Sequence, residues 1–384
     1  MKKEVLVLVF SNLKHDARVM RQVSFLAKNH HVTLVCFDAD PMTNVDLVRI
    51  QQTKLTLTRK AIMSAALLLR QYSLAYRLFH EYEADLKERL SNKKFDLVVA
   101  NDIDTLPLAF ALKGKAKLIF DAHEYAPRHF ENNLTWRIFF QRFYIYLCRK
   151  FIPETNAMLT VGQGLAYEYE KNFGVKPVII TNAARQHAIE PSAMVPDKIR
   201  LIHHGIANPS RRLELMIEMM GYLDERFSLD LMLMTSNYAS AQTRAYIESL
   251  KANAAKDARI KILPSVTSTA VVATINRYDM GVFLLPPVNF NYANTLPNKL
   301  FDFIQARLGI AIGPTPEMAA IVNQYQNGVV SADFTPKSLA AKLNSLTAAD
   351  VARFKAQSAK AALVLNAERN EMIFNDLLVK IENA

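Results

Sequence analysis

The chain is poor in cysteine and has no long apolar runs. Cys36 and Cys148 are the two cysteines in 384 residues and lie far apart, which favours a reduced, cytosolic setting over a disulfide framework. No stretch reaches the roughly 18 uninterrupted apolar residues that a membrane-spanning helix needs. The N-terminal run Val5–Phe10 is shorter than the core of a signal peptide, so we interpret it as a first buried strand.

Acidic residues are also fewer than basic residues. The chain has 36 of them against 47 lysines and arginines, and its formal net charge is +11. Such a balance favours an anionic partner, namely nucleic acid, a nucleotide-linked substrate or an acidic membrane surface. The sequence has no zinc-finger spacing, no RNA-binding signature and no long run of consecutive basic residues, and we therefore expect no nucleic acid partner.

The length predicts two domains, because 384 residues exceed what one hydrophobic core usually serves. Apolar strand-like runs alternate with helical patterns, which is typical of parallel α/β units. Strands are predicted at Val5–Phe10, Val32–Phe37, Phe95–Ala100, Lys117–Asp121, Met158–Val161 and Val178–Thr181, and then at Arg200–His203, Leu229–Met234, Ile260–Leu263, Met280–Leu285, Ile310–Ile312 and Val329–Ser331.

These two series predict two successive doubly wound domains. The break is expected in the polar segment Ala183–Lys198, where Pro191 and Pro196 interrupt the periodicity. We place the first domain at residues 1–190 and the second at residues 191–364. The chain after Thr347 is predicted to be helical, and its last helix, residues 365–384, is expected to rejoin the first domain.

Polar residues follow the predicted strands at the positions where open α/β sheets bind ligands. In the first half they are Asn12 to Arg18, Asn101 to Asp104, and His123-Glu124; in the second half they are His203 to Arg212 and Asn289 to Lys299. The loop before Lys299 runs directly into a helix, which is typical of an anion-binding turn. Two such domains that face one another are expected to form a ligand cleft between the carboxyl ends of their strands.

Several short motifs occur in the order of a known family. In the first half they are Asp16-Ala17-Arg18-Val19, Phe120-Asp121-Ala122-His123-Glu124, Thr160-Val161-Gly162 and Asn182; in the second half they are Gly205 followed by Arg211, then Leu296-Pro297-Asn298-Lys299-Leu300-Phe301-Asp302 and Gly328. This ordered set resembles the retaining family 4 glycosyltransferases of the GT-B fold and covers nearly the whole chain. Each motif alone is weak, whereas the ordered set is fairly specific.

The resemblance implies a nucleotide-diphosphate sugar as donor substrate, no cofactor and no metal. It implies that His123, Arg211 and Lys299 are catalytic, with His123 beside the transferring sugar and the two cations on the diphosphate. The implied donor-binding residues are Gly205, Asn294, Leu296, Pro297, Asn298, Lys299, Asp302 and Glu317. The implied acceptor-side residues are Asp16, Arg18, Asp102 and Glu124.

The chain departs from the family pattern at three places. Many members have two glutamates separated by seven residues in the donor site, where this chain has Asn294 and Asp302. An amide and a shorter carboxylate can still bond sugar and ribose hydroxyls. The glycine pair of the first-strand loop is missing, and Ile206 follows Gly205 where an arginine is often found.

Some of these residues also fit structural roles. Lys299 and Asp302 are three apart on a helix and could form a surface ion pair. His123 could be a buried, hydrogen-bonded histidine, at least one of His203 and His204 is expected to be structural, and Glu317 fits a helix-start acid. Gly162-Gln163-Gly164 lacks the third glycine of a dinucleotide fingerprint.

Asp102-Ile103-Asp104 has the spacing by which the other major glycosyltransferase fold holds a metal. We expect Asp104 instead to cap a helix that begins at Thr105, and Asp102 to face the acceptor.

Two stretches of the first domain combine apolar bulk with cations. They contain Leu67–Leu69, Tyr72, Tyr76 and Phe79 with Arg59, Lys60, Arg70 and Arg77, and Trp136 to Tyr146 with Arg137, Arg142, Arg149 and Lys150. They fit helices packed on the sheet with solvated basic edges, or a face that rests on an anionic membrane.

The predicted function is transfer of a sugar from a nucleotide donor to a glycan or lipid-linked acceptor. This places the protein in polysaccharide biosynthesis for the cell envelope, in the cytoplasm or at the inner face of the membrane, with retention of anomeric configuration. Two alternatives remain. One is a nucleotide-sugar epimerase of similar architecture, and the other is a catalytically silent nucleotide-binding subunit. The base, sugar, acceptor and linkage are not specified by the sequence.

Overall fold

The computed structural model describes residues 2–51, 55–234 and 240–383. The chain divides into two compact units. The first comprises Met1–Thr181, Asn289–Asn291 and Glu371–Ala384, and the second comprises Asn182–Val288 and Tyr292–Asn370. The second unit thus takes in residues 182–190 and 365–370, which the sequence analysis had assigned to the first domain.

The first unit is built on a seven-stranded parallel sheet in the order β3-β2-β1-β4-β5-β6-β7. Its strands are β1 Glu4–Leu8, β2 His31–Cys36, β3 Val45–Arg49, β4 Leu97–Asn101, β5 Lys117–Ala122, β6 Ala157–Thr160 and β7 Val178–Ile179. Its helices are α1 Ala17–Asn29, α2 Leu57–Leu68, α3 Tyr72–Phe79, α4 Glu83–Leu90, α5 Leu106–Leu112, α6 Leu134–Phe139, α7 Gln141–Phe151 and α8 Gln163–Phe173.

Strand β1 shows why this sheet is covered on both faces. Successive side chains of a strand point to opposite faces. Leu6 and Leu8 join one hydrophobic cluster, whereas Val5 and Val7 join another, and all four are fully buried. A strand that is apolar at every position therefore requires cover on both sides, which is the arrangement of a doubly wound α/β fold.

The second unit repeats this plan with a six-stranded parallel sheet in the order β10-β9-β8-β11-β12-β13. Its strands are β8 Ile199–Ile206, β9 Phe227–Met234, β10 Ile260–Pro264, β11 Met280–Phe283, β12 Gly309–Ile312 and β13 Gly328–Val330. The helices that follow in the chain are α9 Glu214–Met220, α10 Ala241–Ala254, α11 Val271–Ile275, α12 Phe290–Ala293, α13 Asn298–Gln305, α14 Pro316–Tyr325, α15 Pro336–Asn344, α16 Ala348–Ala362 and α17 Ala367–Glu382. The first two residues of α12 belong to the first unit.

The last helix, α17, begins in the second unit, and its residues from Glu371 onwards belong to the first. There Phe374 packs against Phe25 of α1 with ring centroids 5.7 Å apart, and Leu377 and Ile381 enter the cluster that covers one face of the sheet. The predicted strands are all present with shifted ends, but strand β3 was missed. Among the described helices, none is long and apolar enough to cross a membrane.

Candidate functional site

The second-last residue of strand β8 is a glycine with a backbone conformation that other residues rarely adopt. Gly205 has φ +127°, and a Cβ built there would lie 3.4 Å from Nζ of Lys299 and 3.8 Å from Nη1 of Arg211. Two cationic side chains therefore converge on a position near the end of β8 where the backbone carries no side chain. A ligand can approach the main chain closely at such a position.

Lys299 lies at the start of α13 and is only 4 % exposed. Its Nζ is 3.8 Å from the centre of the Phe283 ring and 3.4 Å from Nε2 of His203. Burial and the charge of Arg211 hold the pKa of Lys299 well below its ordinary value, although Asp302 opposes this shift. The alternative of a solvent-exposed ion pair does not fit a lysine in this environment.

The imidazole of His203 is held in a form that suits this lysine. Its Nδ1 donates to the carbonyl of Val282 at 2.9 Å, which leaves Nε2 as an acceptor for Lys299. Burial and the charge of Lys299 lower the pKa of His203 well below its ordinary value, so the ring is neutral. His203 therefore positions the ammonium without competing for an anion.

Arg211 is the last residue of the 3₁₀ turn Pro209–Arg211 and is partly buried. Within residues 2–51, 55–234 and 240–383, no carboxylate forms an ion pair with it. Its neighbour Arg212, by contrast, is exposed and bonds Glu214 at 3.2 Å. Arg211 and Lys299 thus place two positive charges together, an arrangement that a bound anion would stabilise.

The amino end of α13 adds backbone donors to this cationic site. Pro297 precedes the helix in an extended conformation and provides no side-chain cap, and its carbonyl accepts from the amide of Leu300 at 3.1 Å. The amides at a helix start and the helix dipole favour negative charge. The carbonyl of Leu296 accepts a hydrogen bond from Asn182 at 2.8 Å, which fixes the loop just before the helix.

Other predicted donor residues lie in or next to helices α12, α13 and α14. Asp302, one turn into α13, has an oxygen 3.5 Å from Nε2 of His204, a histidine whose pKa burial lowers to about 3. Asn298 is the first residue of α13, and Asn294 directly follows α12. Glu317 lies in the first turn of α14, the position of a helix-start acid.

In the first unit, His123 sits in a network of buried polar side chains at the carboxyl ends of β1, β4 and β5. Its Nε2 lies 3.2 Å from Oδ1 of Asn101, whose amide donates to Gln22 at 3.0 Å. Gln22 donates in turn to Asp121 at 2.9 Å, and Arg18 holds the same carboxylate through two bonds of 2.6 and 3.2 Å. The network fixes the position of His123.

The predicted acceptor-side residues take different places. Asp102 contacts His123 twice, since Oδ1 accepts from the His123 backbone at 3.1 Å and Oδ2 lies 3.4 Å from its Nδ1. Asp16 caps α1 by accepting from Val19 at 3.1 Å. Arg18 is 8 % exposed and also bonds the carbonyl of Ile180. Glu124 is exposed and pairs with His129 at 2.8 Å.

The expected cap by Asp104 is wrong. Helix α5 begins at Leu106, and Thr105 precedes it without a side-chain cap. The Asp104 carboxylate instead accepts from Tyr144 at 3.2 Å and lies 3.5 Å from Nε2 of His80. Because those tertiary contacts lie far along the chain, local spacing could not reveal them. Asp102 and Asp104 have different neighbours, and among the described residues no group of three potential ligands is placed to hold a metal.

Four residues of the first unit that contact the predicted site residues were not themselves predicted as site residues. Asn101, Gln22 and Asp121 bond one another or His123, and His129 pairs with Glu124. Asn101 and Asp121 lie at strand ends, a position from which the sequence could have predicted them as site residues. Gln22 lies inside α1, where no sequence pattern distinguishes it. The segment Asn289–Asn291 also belongs to this unit, and Oδ1 of Asn291 accepts from the Tyr125 backbone at 2.7 Å.

Residues 17–184 match the family model described as Glycosyltransferase Family 4. This part of the chain is similar to the glycosyltransferases of that family. Members of this family are enzymes, and the expectation of a glycosyltransferase is confirmed at that level. Comparison with the curated proteins finds no significant match.

Solved structures confirm the GT-B fold. A UDP-forming α,α-trehalose-phosphate synthase from Burkholderia xenovorans has a TM-score of 0.73 at 12 % identity, with 100 % of each chain covered. A sucrose-phosphate synthase from Thermosynechococcus elongatus has a TM-score of 0.72 at 12 % identity, again with 100 % of each chain covered. WaaG, a glycosyltransferase involved in lipopolysaccharide biosynthesis, has a TM-score of 0.65 at 12 % identity and covers 96 % of this chain and 99 % of its own.

Proposed function

We propose that this protein transfers a sugar from a nucleotide-diphosphate donor, and that Gly205, Arg211, Lys299 and the start of α13 bind the diphosphate. The observation that carries the proposal is the pair of neighbouring cations, one of them buried, beside a glycine and a helix start. Diphosphate matches these groups in charge and in its number of acceptor oxygens.

The same groups suit the chemical step. Sugar transfer leaves a diphosphate behind while positive charge develops on the sugar, so stabilising the leaving group lowers the barrier. Fixed cations and helix amides supply that stabilisation without reorganising. Asp302 and Asn294 are proposed to orient donor hydroxyls, and His123 to act in turnover. Retention by front-face substitution is part of the proposal.

A comparison of two adjacent arginines tests the donor site. One of the similar structures is named as UDP-forming, so UDP is the first probe, followed by GDP and ADP in thermal-shift and calorimetric titrations. Arg211→Ala should weaken nucleotide binding by about ten- to hundredfold, because a hydrogen bond to a charged group contributes about 1.5–3 kcal/mol. The control is Arg212→Ala, since Arg212 is exposed and paired with Glu214; it should bind nucleotide like the wild type.

Three other outcomes would contradict parts of this proposal. Equal affinity in wild type and Arg211→Ala would remove this arginine from the donor site. Tight nucleotide binding without consumption of any nucleotide sugar would favour the silent subunit, and turnover of a nucleotide sugar without an acceptor to an isomeric donor would favour the epimerase.

We further propose a glycan or lipid-linked acceptor, used in polysaccharide biosynthesis at a membrane surface. The support is one face of the first unit, here called the basic apolar face, where α2 packs on α3 and α6. Large apolar side chains are exposed on it at Leu57 (85 %), Leu69 (73 %), Leu134 (61 %), Leu68 (57 %), Ile138 (51 %) and Ile62 (49 %).

Charge complementarity indicates what covers this face. Residues 55–79 and 132–153 contain eight lysines and arginines and no acidic residue. Arg59 pairs with Glu81, whereas Lys60, Arg70, Arg77, Arg137, Arg142, Arg149 and Lys150 are exposed. Exposed leucines between cations are the pattern of surfaces that rest on anionic lipid.

Vesicle sedimentation tests this face. The protein should bind vesicles of phosphatidylcholine with phosphatidylglycerol better than phosphatidylcholine alone, and less as salt rises. Leu69→Glu with Leu134→Glu should reduce binding several-fold, whereas Leu363→Glu, at a leucine of the second unit that is 61 % exposed, should not. Equal binding to both vesicle types would contradict the proposal, as would a dimer that the double variant dissociates.

A further inference from the structure

A hydrogen bond joins the two segments of the second unit that carry the cations of the candidate donor site. Oγ of Ser210 and the phenol oxygen of Tyr292 lie 2.7 Å apart, although 82 residues separate them in the chain. Ser210 directly precedes Arg211 in the 3₁₀ turn Pro209–Arg211. Tyr292 lies in α12, seven residues before Lys299. The bond therefore connects the turn that carries Arg211 to the segment that leads into α13.

The direction of this bond follows from the other partner of the serine. Oδ1 of Asn208 accepts from the Ser210 amide at 2.9 Å and from the Ser210 hydroxyl at 2.8 Å. A hydroxyl has one proton, so the serine that donates to Asn208 accepts from the phenol of Tyr292. Asn208 is exposed, whereas Tyr292 is partly buried and packs against the hydrophobic cluster that contains Leu300 of α13. The tyrosine thus ties an exposed turn to the packed interior of its unit.

A restraint on this turn has an electrostatic consequence, because Arg211 and Lys299 repel each other. Burial, and then the charge of Arg211, lowers the pKa of Lys299. Nζ of Lys299 and Nη1 of Arg211 both approach Gly205, at 3.4 and 3.8 Å from the position of a Cβ there. In the absence of an anion, this repulsion favours movement of the arginine away from the lysine. A turn that is fixed in place opposes such movement, and groups that are already in position lose less conformational freedom when a ligand binds.

We infer that Tyr292 is a positioning residue for donor binding, which acts on the diphosphate through Ser210 and Arg211. Its hydroxyl holds the 3₁₀ turn so that the guanidinium stays beside Lys299 before the nucleotide binds. The effect does not require Tyr292 to touch the nucleotide. The inference rests on the proposed function, since it concerns the same diphosphate site.

Calorimetric titration of UDP into full-length variants tests this role. Tyr292→Phe and Ser210→Ala each remove one hydroxyl of the bond, and each should weaken UDP binding by about three- to tenfold, the range that a neutral hydrogen bond contributes. The double variant should bind UDP no more weakly than the weaker single variant, because both changes break the same bond. The control is Tyr278→Phe, since Tyr278 precedes the amino end of β11 and its hydroxyl donates to Asp230 at 2.6 Å; it should bind UDP like the wild type.

A double-mutant cycle shows whether Tyr292 acts through Arg211. When Arg211→Ala is already present, Tyr292→Phe should change UDP affinity by less than about twofold, because the turn no longer carries the cation. An equal loss of affinity with and without Arg211 would overturn the inference, since Tyr292 would then act on the nucleotide by another route. Wild-type affinity in both Tyr292→Phe and Ser210→Ala would overturn it as well.

Thermal melting of the same variants separates positioning from folding. A lower Tm in Tyr292→Phe with unchanged UDP affinity would assign the hydroxyl a structural role and contradict the inference. Wild-type affinity in Arg211→Ala would contradict the proposed donor site itself. Weak binding by Arg211→Ala together with normal binding by Tyr292→Phe would leave that site in place and remove only the role of Tyr292.

Discussion

Lys299 combines a positive charge with a side chain that is 4 % exposed. Burying an unpaired ammonium costs free energy, and Arg211 nearby raises that cost. Both effects weaken when an anion binds between the two cations. Anion binding therefore removes part of the unfavourable free energy of burying Lys299. For this reason we assign the donor diphosphate to this site.

The affinity for UDP should fall as the pH rises above neutrality, where the diphosphate is already ionised. In the free protein the pKa of Lys299 lies well below its ordinary value, and a bound anion raises it. The affinity therefore has its full value below the pKa that Lys299 has in the free protein. It falls as the pH rises through the pKa that Lys299 has in the complex. Calorimetric titration over a pH series measures this dependence.

Two lysine variants check the source of that pH dependence. Lys299→Met should bind UDP weakly with an affinity that changes little above neutral pH. Lys342→Met, at an exposed lysine of α15 in the same unit, should follow the wild type. A wild-type pH slope in Lys299→Met would show that another group titrates.

His123 is held by Asn101 and Asp102 in a fixed orientation. We expect His123→Ala to lower turnover of the nucleotide sugar about a hundredfold, the low end of what a positioned acid or base contributes. The dissociation constant of UDP should stay within twofold, since a residue acting in the transition state affects rate more than ground-state binding. His31→Ala, at a partly exposed histidine in β2, serves as control. Wild-type turnover in His123→Ala would assign this histidine a structural role.

The sequence predicts Gly205, Arg211, Lys299 and His123 as site residues because they lie in polar segments that follow predicted strands and in the ordered motifs of the family resemblance. Gln22 was not predicted, because it lies inside a helix and acquires its role only through Asp121, which is 99 residues away in the chain. Contacts of this kind depend on the tertiary fold.

Helix α17 stabilises the first unit by covering one face of its sheet. Phe374 is 3 % exposed and meets Phe25, whereas Met372 on the same helix is 54 % exposed. Phe374→Ala should lower the free energy of unfolding by about 3–5 kcal/mol, the usual cost of removing a buried aromatic ring. Met372→Ala should change it by less than about 0.5 kcal/mol. Urea denaturation measures both, and equal effects would mean that α17 does not pack as described.

Strand β3 shows why one element was missed. Val45–Arg49 lies at the edge of the sheet, its residues are only partly buried or exposed, and Asp46 and Arg49 interrupt its apolar character. A search for continuous apolar runs finds the buried central strands and overlooks such an edge strand.

At the scale of the whole molecule, this chain shares its fold with proteins whose sequences differ from it at most positions. The chain superposes on sugar-phosphate synthases over its full length at 12 % identity. What such proteins share is the order of buried strands and helices, which many apolar sequences satisfy. The cations at the Lys299 site are specific features of this chain's side chains and are not implied by the shared fold.

The central claim is that fixed cations of the second unit, and not a metal held by Asp102 and Asp104, stabilise the leaving diphosphate. The direct test is release of nucleoside diphosphate from a panel of nucleotide sugars, by wild type and Lys299→Met, after exhaustive chelation. We predict full release by the chelated wild type and a loss of about 10²–10³-fold in Lys299→Met, the size expected for removing one group that stabilises the transition state. Release that requires added manganese or magnesium, and is equal in both proteins, would contradict the account.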